Sequence, residues 1–302
     1  MDFADIPTDL PPEQLAMIYA AIAAYIQNKI QGLSIVLLVT YSVLCVLCIA
    51  LIIYLRLNRN GALRGDSSAA RKTLLPAFEP LLWILGFTTG SYCLYFIVAF
   101  SIEFYPKTLP SVHTESFYAG RQFVLLLVIV FMLQKSVTIP ALVRAVGLTF
   151  VLSTYTLPIV WYIQTSTFDL GLMNRNYWVQ TVSHACVLPL YVYVMVWPPG
   201  RSSTTALRRY CAFALSQHAL DFAYSTAFNE LKVDLGFGLA YAELAVGSLC
   251  PLFVWHVLKA DTEHWRGLGQ RACALQALFR QKSHVHEHLS SEGLHVLIEM
   301  HR

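Results

Sequence analysis

Long apolar runs dominate this chain, and short polar connections separate them. A membrane-spanning helix needs about 20 mostly apolar residues, because about 30 Å of hydrocarbon is crossed at about 1.5 Å per residue. The runs that meet this length are 33–55, 78–100, 117–137, 139–163, 177–197, 207–228 and 235–257. The pattern therefore predicts an all-α polytopic membrane protein, with a seven-transmembrane helix bundle over residues 33–258.

The segments on either side of this bundle are amphipathic. In residues 1–32, Pro11-Pro12-Glu13 starts a helix, and apolar residues such as Leu15 and Ile18 follow at helical spacing. We expect this helix to lie on the outer membrane surface, with an eighth span as the alternative. Residues 259–302 alternate apolar and basic side chains, which predicts a tail on the inner leaflet that could contact a cytosolic signalling partner.

Proline and glycine mark several positions within the runs. Pro140 falls in the first turn of the fourth run, where its missing N–H costs least, so runs three and four are predicted to be separate helices. Pro158, Pro189 and Pro251 lie inside runs and predict kinks. Gly86-x-x-x-Gly90 predicts that the second helix approaches a neighbour closely.

Lysine and arginine are unevenly distributed between the connections. The odd-numbered connections and the tail hold sixteen of them, whereas the N-terminal segment and the even-numbered connections hold four. In membrane proteins the excess of Lys and Arg lies on the cytoplasmic side. We therefore predict an N-terminus outside, a C-terminus in the cytosol and a location in the plasma membrane.

Composition agrees with lipid as the main solvent. Only 13% of residues are charged and 56% are hydrophobic, with a mean hydropathy of +0.54, whereas a soluble domain carries roughly 25% charged residues. The net charge of +3 is too small to indicate a nucleic-acid partner. None of the 7 cysteines falls in a segment placed outside, so we expect no extracellular disulfide. We also expect no cofactor.

Ionisable side chains inside membrane helices are costly, so each is a functional hypothesis. Five fall in the outer half of the predicted bundle: Arg121, His184, His218, Asp221 and Glu243. Aromatic side chains near the same level are candidates for pocket walls: Tyr92, Tyr95, Tyr155 and Trp161. We predict either a pocket for an extracellular or membrane ligand or a polar core of locks such as Arg121–Asp221. A lock can also line a pocket. We expect no catalytic or metal-binding residue among these ionisable and aromatic side chains.

A second group of ionisable residues falls near the cytosolic ends of the spans. It consists of Glu79, Arg144 and His256. One hypothesis is an inner lock that holds the helices closed until a ligand shifts them. The alternative is that these side chains snorkel to the headgroups without any functional role.

The layout resembles that of G-protein-coupled receptors. The resemblance covers about residues 33–282 and is one of topology: seven spans, an outer charged layer and an amphipathic segment after the last span. Span three ends in FMLQKS rather than an acidic-Arg-aromatic triplet, and span seven reads SLCPLFVWHVL, without Asn-Pro-x-x-Tyr. The resemblance implies a receptor outside the rhodopsin-like class, which transmits a signal by rearranging helices. The connection at 198–206 is short, so G-protein coupling is not assumed.

A narrower resemblance covers the last span and the tail. The chain is similar to the membrane-to-kinase junction of oomycete-type receptor–kinase fusions in LCPLFVWHVLKADTEHWRGLG and EHLSSEGLHVLIEMHR. This implies the membrane sensor part of a receptor kinase. Residues 1–302 contain no glycine-rich loop and no His-Arg-Asp, so we expect no kinase activity from them.

Two other classes of function remain open. His218 and Asp221 are spaced i, i+3, and with His184 they could hold zinc, as in seven-span hydrolases of the ceramidase and adiponectin-receptor type, although the final-span His-x-x-x-His of those enzymes is missing. A small-solute or proton transporter is the other alternative, although no internal repeats are visible. Retinal binding is disfavoured, because Lys259 lies beyond the last predicted span.

Overall fold

The computed structural model describes residues 12–72, 78–102, 112–134, 136, 138–165, 170–198, 203–230 and 232–267. Within these ranges the secondary structure is helical, with no strand. The helices are α1 (Pro12–Leu63), α2 (Ser67–Lys72), α3 (Phe78–Ser101), α4 (Val112–Leu133), α5 (Ile139–Thr154), α6 (Thr156–Thr165), α7 (Leu170–Ala185), α8 (Leu188–Val196), α9 (Thr204–Asn229), α10 (Val233–Gly247) and α11 (250–267).

In the described residues, six helical stretches are long and apolar enough to cross a membrane. They are Gln27–Leu63, Phe78–Ser101, Glu115–Leu133, Ile139–Ile163, Tyr177–Val196 and Val233–Gly267. These stretches match six of the seven predicted spans and indicate an integral, polytopic membrane protein. The remaining predicted span, 207–228, forms the 26-residue helix α9, which is not among the six. It is more polar than the others, because it carries Arg208, Arg209, Gln217, His218 and Asp221.

The first helix is one continuous element of 52 residues, about 78 Å long at 1.5 Å per residue. It runs from Pro12 into the first span, so there is no break between that span and the segment predicted to lie on the membrane surface. Near its start, Tyr25 donates a hydrogen bond to Asp234 of α10, and Lys29 Nζ lies 3.4 Å from the same carboxylate. We call this end of the bundle end A. The opposite end, which holds Arg56 and Glu79, is end B.

The separation of the third and fourth predicted spans is confirmed. α4 ends at Leu133 and α5 begins at Ile139, with Pro140 in its first turn. The hydroxyl of Thr138 accepts a hydrogen bond from the backbone N–H of Ala141 and so caps the new helix. A capped start of this kind satisfies one of the N–H groups that have no partner within the helix.

Each of the prolines predicted to kink a span coincides with an interruption of a helix, two or three residues before the proline. The breaks lie at Tyr155 before Pro158, at 186–187 before Pro189, and at 248–249 before Pro251. Proline lacks the N–H that would bond to the carbonyl four residues earlier, and its ring crowds that carbonyl. Each break therefore divides one predicted span into two helical segments.

The fourth helix occupies the centre of the bundle. Residues 124–132 of α4 are all buried, which requires neighbours on every side of the helix. This stretch reads VLLLVIVFM, and a helix that is hydrophobic all round is expected to be buried. Polar side chains at the end-A half of α4 are therefore held in the middle of the bundle.

Glycines allow two close contacts among the helices. On α3, Gly86 and Gly90 face Cys48 and Cys45 of α1, so the predicted close approach is confirmed, with α1 as the neighbour. On α4, Gly120 lies under the ring of Tyr92, and a Cβ at this position would overlap the ring. Tyr92 is held there by the hydrogen bond that its hydroxyl donates to Ser116 O, at 2.6 Å.

The last described helix, α11, extends past the predicted end of span seven to residue 267. Lys259 lies within it and is exposed, so it does not point into the bundle. The cysteines of the described residues are free. Most of the predicted amphipathic tail, together with residues 1–11, falls outside the described residues.

Candidate functional site

The candidate site is built around the end-A half of α4. Glu115, Tyr118, Arg121 and Gln122 follow one another at spacings of three, three and one residues, which places them on adjacent rows of the helix. The carboxylate of Glu115 and the amide of Gln122 are almost fully buried, at 2% and 1% exposure. The central position of α4 lets these side chains reach several helices at once.

Arg121 forms the centre of an ion-pair network. Its Nη2 lies 3.1 Å from Oδ1 of Asp221 on α9, and its Nη1 pairs with the carboxylate of Glu243 on α10. Asp221 and Glu243 are 1% and 2% exposed. A guanidinium presents its N–H donors in a fixed planar fork, which suits two carboxylates on different helices. Arg121 thus ties α4 to both α9 and α10.

His184 of α7 extends the network by bridging two carboxylates. Its Nδ1 lies 3.4 Å from Oδ2 of Asp221, and its Nε2 lies 3.1 Å from Oε1 of Glu115. The imidazole stacks on the ring of Tyr118, with centroids 3.6 Å apart and planes 8° apart. Gln180, one turn earlier on α7, donates a second hydrogen bond to Glu115, at 3.0 Å. We call Glu115, Arg121, His184, Asp221 and Glu243 the charged cluster.

His218 lies beside the charged cluster rather than in it. Its ring nitrogens are 3.1 and 3.2 Å from the Gln122 side-chain nitrogen, and that amide also donates to Tyr118, at 2.9 Å. The imidazole packs against Tyr191 of α8, with ring centroids 5.2 Å apart. Four of the five predicted polar residues therefore meet directly, and the fifth is joined to them through Gln122 and Tyr118.

The four predicted aromatic wall residues have different surroundings. Tyr155 donates a hydrogen bond to the carbonyl of Ser183, the residue before His184. Tyr92 stacks on Tyr41 of α1 with centroids 5.0 Å apart, and Tyr95 packs edge-on against Phe117. Trp161 does not line the site, because its side chain is 61% exposed on the surface of the bundle.

Sequence reasoning missed Glu115, Tyr118, Gln122 and Gln180. The apolar run predicts a third span that begins at 117, whereas α4 starts at Val112 and includes Glu115 in its first turn. A signal was present, because Glu115, Tyr118 and Gln122 recur at the spacing of one helix face. Extending the helix backwards along that face would have found the partner of His184.

The predicted inner lock of Glu79, Arg144 and His256 is not formed. Glu79 pairs instead with α1, where Arg56 Nε lies 2.8 Å and Arg59 Nη1 lies 3.7 Å from its carboxylate. Arg144 and His256 are exposed and make no ion pair with any described residue. Glu79 pairs with α1 because the close packing of α3 on α1 places two arginines beside its carboxylate.

The zinc-hydrolase alternative requires His184, His218 and Asp221 to act as metal ligands. The described residues contain no group of three or more His, Cys, Asp or Glu side chains that could hold a metal ion. Within the proposed trio, His184 and Asp221 face each other and the charged cluster, whereas His218 faces Gln122.

The charged cluster has unequal numbers of acidic and basic groups. Three carboxylates face one guanidinium and one imidazole. Both nitrogens of an imidazole donate only when the ring is protonated. The charges therefore balance when the cluster holds two protons, one on the imidazole and one on a carboxylate. Buried Asp, Glu and His side chains linked in this way are the kind of groups from which proton relays in membrane proteins are built.

Comparison with known proteins finds no matching family model, no matching curated protein and no matching solved structure. The chemistry of the charged cluster and its place in the bundle are therefore the grounds for a functional proposal. Its defining property is that one buried network joins four helices.

Proposed function

We propose that this protein is a seven-transmembrane, receptor-like protein that passes an external signal to the cytosol by rearranging its helices. The charged cluster acts as the lock of this switch. An extracellular or membrane ligand that competes for one of its charges would release the helices that it joins. In this proposal the N-terminus is outside, the C-terminus is cytosolic and the protein resides in the plasma membrane.

The proposal counts α9 as the seventh span. At 26 residues it is about 39 Å long, enough to cross about 30 Å of hydrocarbon. Its polarity is compatible with a membrane helix, because Gln217, His218 and Asp221 are all buried inside the bundle. Polar residues in membrane helices characteristically face the protein interior and find partners there.

The orientation rests on the placement of basic residues. With seven spans, end B and the tail hold sixteen Lys and Arg residues and end A holds four. The positive-inside tendency then places end B in the cytosol. The charged cluster then lies in the outer half of the bundle.

The observation that carries the proposal is the position of the cluster relative to the proline breaks. His184 lies two residues before the break at 186–187, and Glu243 lies five residues before the break at 248–249. The cluster thus holds the segments on its side of each break, while α8 and α11 continue beyond it towards end B. Breaking the ion pairs would let α7 and α10 pivot at the prolines and would thereby loosen α8 and α11 on the other side of the breaks.

Hydrogen exchange of the full chain in lipid nanodiscs tests the proposal. We expect Asp221→Asn and Glu243→Gln to raise exchange in α8 and α11, beyond the proline breaks, and to leave α3 unchanged. Glu79→Gln, which alters an end-B ion pair outside the cluster, is the matched control. Exchange that rises only around the substituted residue would contradict a switch.

A second candidate is a proton carrier. It is favoured by the charged cluster, whose three carboxylates and two basic side chains are neutral only when the cluster holds two protons. Proton relays in membrane proteins are built from chains of Asp, Glu and His side chains. Reconstituted vesicles with an internal pH dye distinguish the two functions. The receptor-like proposal expects no proton flux, whereas a flux that Asp221→Asn abolishes would favour the carrier.

If the protein is the membrane sensor of a receptor kinase, it would use the same helix rearrangement to control a cytosolic kinase domain. In that alternative, movement of α11 reaches the kinase through the tail. A full-length read of the transcript beyond the codon for Arg302 would distinguish a fusion from a free-standing receptor. Neither result changes the role proposed for the charged cluster.

A further inference from the structure

Two arginines of α1 share one carboxylate at end B. Arg56 Nε lies 2.8 Å from Oε1 of Glu79, and Arg59 Nη1 lies 3.7 Å from Oε2 of the same side chain. Both arginine side chains are more than half exposed, and they form no other ion pair with a described residue. Two positive charges therefore face one negative charge, which leaves an excess of one positive charge. We call Arg56 and Arg59 the arginine pair.

Arg56 is held in place from two sides. Its Nε donates a hydrogen bond to Glu79, and its guanidinium carbon lies 5.5 Å from the centroid of the Trp83 ring, a cation–π contact. Glu79 and Trp83 are one turn apart on α3, so both act on the same face of the guanidinium's surroundings. An arginine carries five N–H donors in a planar fork, and the carboxylate takes only the Nε donor of Arg56. The terminal amino groups are left for an anion.

The chain that connects α1 to α3 adds further positive charge. From Arg56 to Glu79 the sequence holds five Lys and Arg residues but only two Asp and Glu residues. Arg64 and Lys72 are exposed. The second acidic residue is Asp66, whose carboxylate accepts hydrogen bonds from two backbone N–H groups of the same connection. The surroundings of the arginine pair are therefore basic and attract anions.

Lipid-facing apolar side chains lie next to the arginine pair on the side towards end A. Ile53 is one turn from Arg56 on α1, Phe87 is one turn from Trp83 on α3, and all three apolar side chains are exposed. Both helices belong to candidate membrane spans, and tryptophan is enriched where a span meets the headgroup layer. A charged layer beside exposed apolar surface suits a lipid, which has a polar headgroup and apolar chains. A free anion would make no use of the apolar surface.

We propose that the arginine pair binds the phosphate of an anionic membrane lipid, whose acyl chains lie along Ile53 and Phe87. Guanidinium groups bind phosphate through paired N–H donors, and basic side chains at the membrane surface attract anionic lipids. A zwitterionic lipid such as phosphatidylcholine binds less tightly, because its choline group carries a positive charge. The site goes beyond the proposed function. It requires that α1 and α3 cross the membrane, and it does not require the charged cluster to act as a switch.

Native mass spectrometry of the full chain in detergent tests the site, because it resolves each lipid that stays bound to the protein. We expect the unsubstituted protein to bind phosphatidylglycerol more tightly than phosphatidylcholine. Replacing both arginines, Arg56→Gln with Arg59→Gln, should reduce this preference by about 25-fold, or about fivefold for each basic side chain. Arg144→Gln is the matched control, since Arg144 is also exposed near end B and forms no ion pair with a described residue. It should leave the preference unchanged.

The arginine pair is exposed, so its replacement should leave the protein folded, and thermal unfolding checks each variant. If the double variant does not fold, Arg59→Gln alone keeps the hydrogen bond between Arg56 and Glu79 and should still reduce the preference by about fivefold.

Three results would overturn the proposal. One is equal affinity of the unsubstituted protein for the two lipids. Another is a loss of preference from Arg144→Gln as large as that from Arg59→Gln, because general positive charge would then attract the lipid. The third is binding of inorganic phosphate, without lipid, that depends on the arginine pair as strongly as lipid binding does. The site would then be one for a soluble anion.

Discussion

Arg121 on α4 and Asp221 on α9 are one hundred residues apart in the chain, and their side chains meet at 3.1 Å inside the bundle. Asp221 is 1% exposed, so the pair is withdrawn from water. Removing one member of such a pair leaves the other charge uncompensated in a medium of low dielectric constant. This relationship makes the stability of the bundle depend on single charges.

Asp221→Asn should lower the free energy of unfolding by about 3–5 kcal/mol, because it removes the negative charge that faces both Arg121 and His184. Thermal unfolding in detergent measures the loss. The matched control is Asp234→Asn at end A, where the carboxylate is exposed and pairs with Lys29, and where we expect little change. Equal effects of the two substitutions would contradict the buried network.

His184 and Glu115 should be energetically coupled, because the imidazole contacts that carboxylate at 3.1 Å. In a double-mutant cycle, His184→Gln and Glu115→Gln should show a coupling energy of about 0.5–3 kcal/mol. Glu115→Gln combined with Glu79→Gln is the control cycle, since these residues lie at opposite ends of the bundle. Additivity in the first cycle would mean that Glu115 is not the partner of His184.

Gly120→Ala should destabilise the protein by about 1–3 kcal/mol, because the new methyl group overlaps the ring of Tyr92. Gly147→Ala is the control on α5, where a Cβ would meet open space. There we expect a gain of up to about 1 kcal/mol from the better helix propensity of alanine. Similar losses at both positions would contradict the close packing of α3 on α4.

The ion pair at end B should contribute little. Arg56 and Arg59 are 58% and 65% exposed beside Glu79, and exposed pairs contribute about 1 kcal/mol or less. Glu79→Gln should therefore shift the unfolding temperature slightly, and Arg144→Gln should not shift it at all. A large loss from Arg144→Gln would support the hypothesis of an inner lock.

Much of the fold could be predicted because membrane helices follow simple rules of length and local chemistry. Apolar run length located the six candidate spans, Pro140 marked the start of α5, and Pro158, Pro189 and Pro251 marked the breaks. The length of the apolar run did not predict where each helix starts. A helix continues into polar residues when other side chains of the bundle supply their hydrogen-bond and charge partners. Glu115 was therefore not among the predicted site residues, although it lies in the first turn of α4.

The site was only partly predictable, because depth can be read from sequence but the direction of a side chain depends on packing. Arg121 and Asp221 were paired correctly, since charges at one depth in lipid must find each other. Trp161 was expected at the same level but points away from the site. One of the two hypotheses for Glu79 paired it across the bundle, but arginines on the adjacent α1 lie closer.

The number of membrane crossings is the central claim, and it decides whether α9, with its buried Asp221, spans the membrane. An odd number of spans places the two ends of the chain on opposite sides of the membrane, and an even number places them on the same side. The direct measurement is antibody access to N-terminal and C-terminal epitope tags in intact and permeabilised cells. We predict that the N-terminal tag is reached in intact cells and the C-terminal tag only after permeabilisation. Access to both tags under the same condition would mean an even number of spans and would contradict the account.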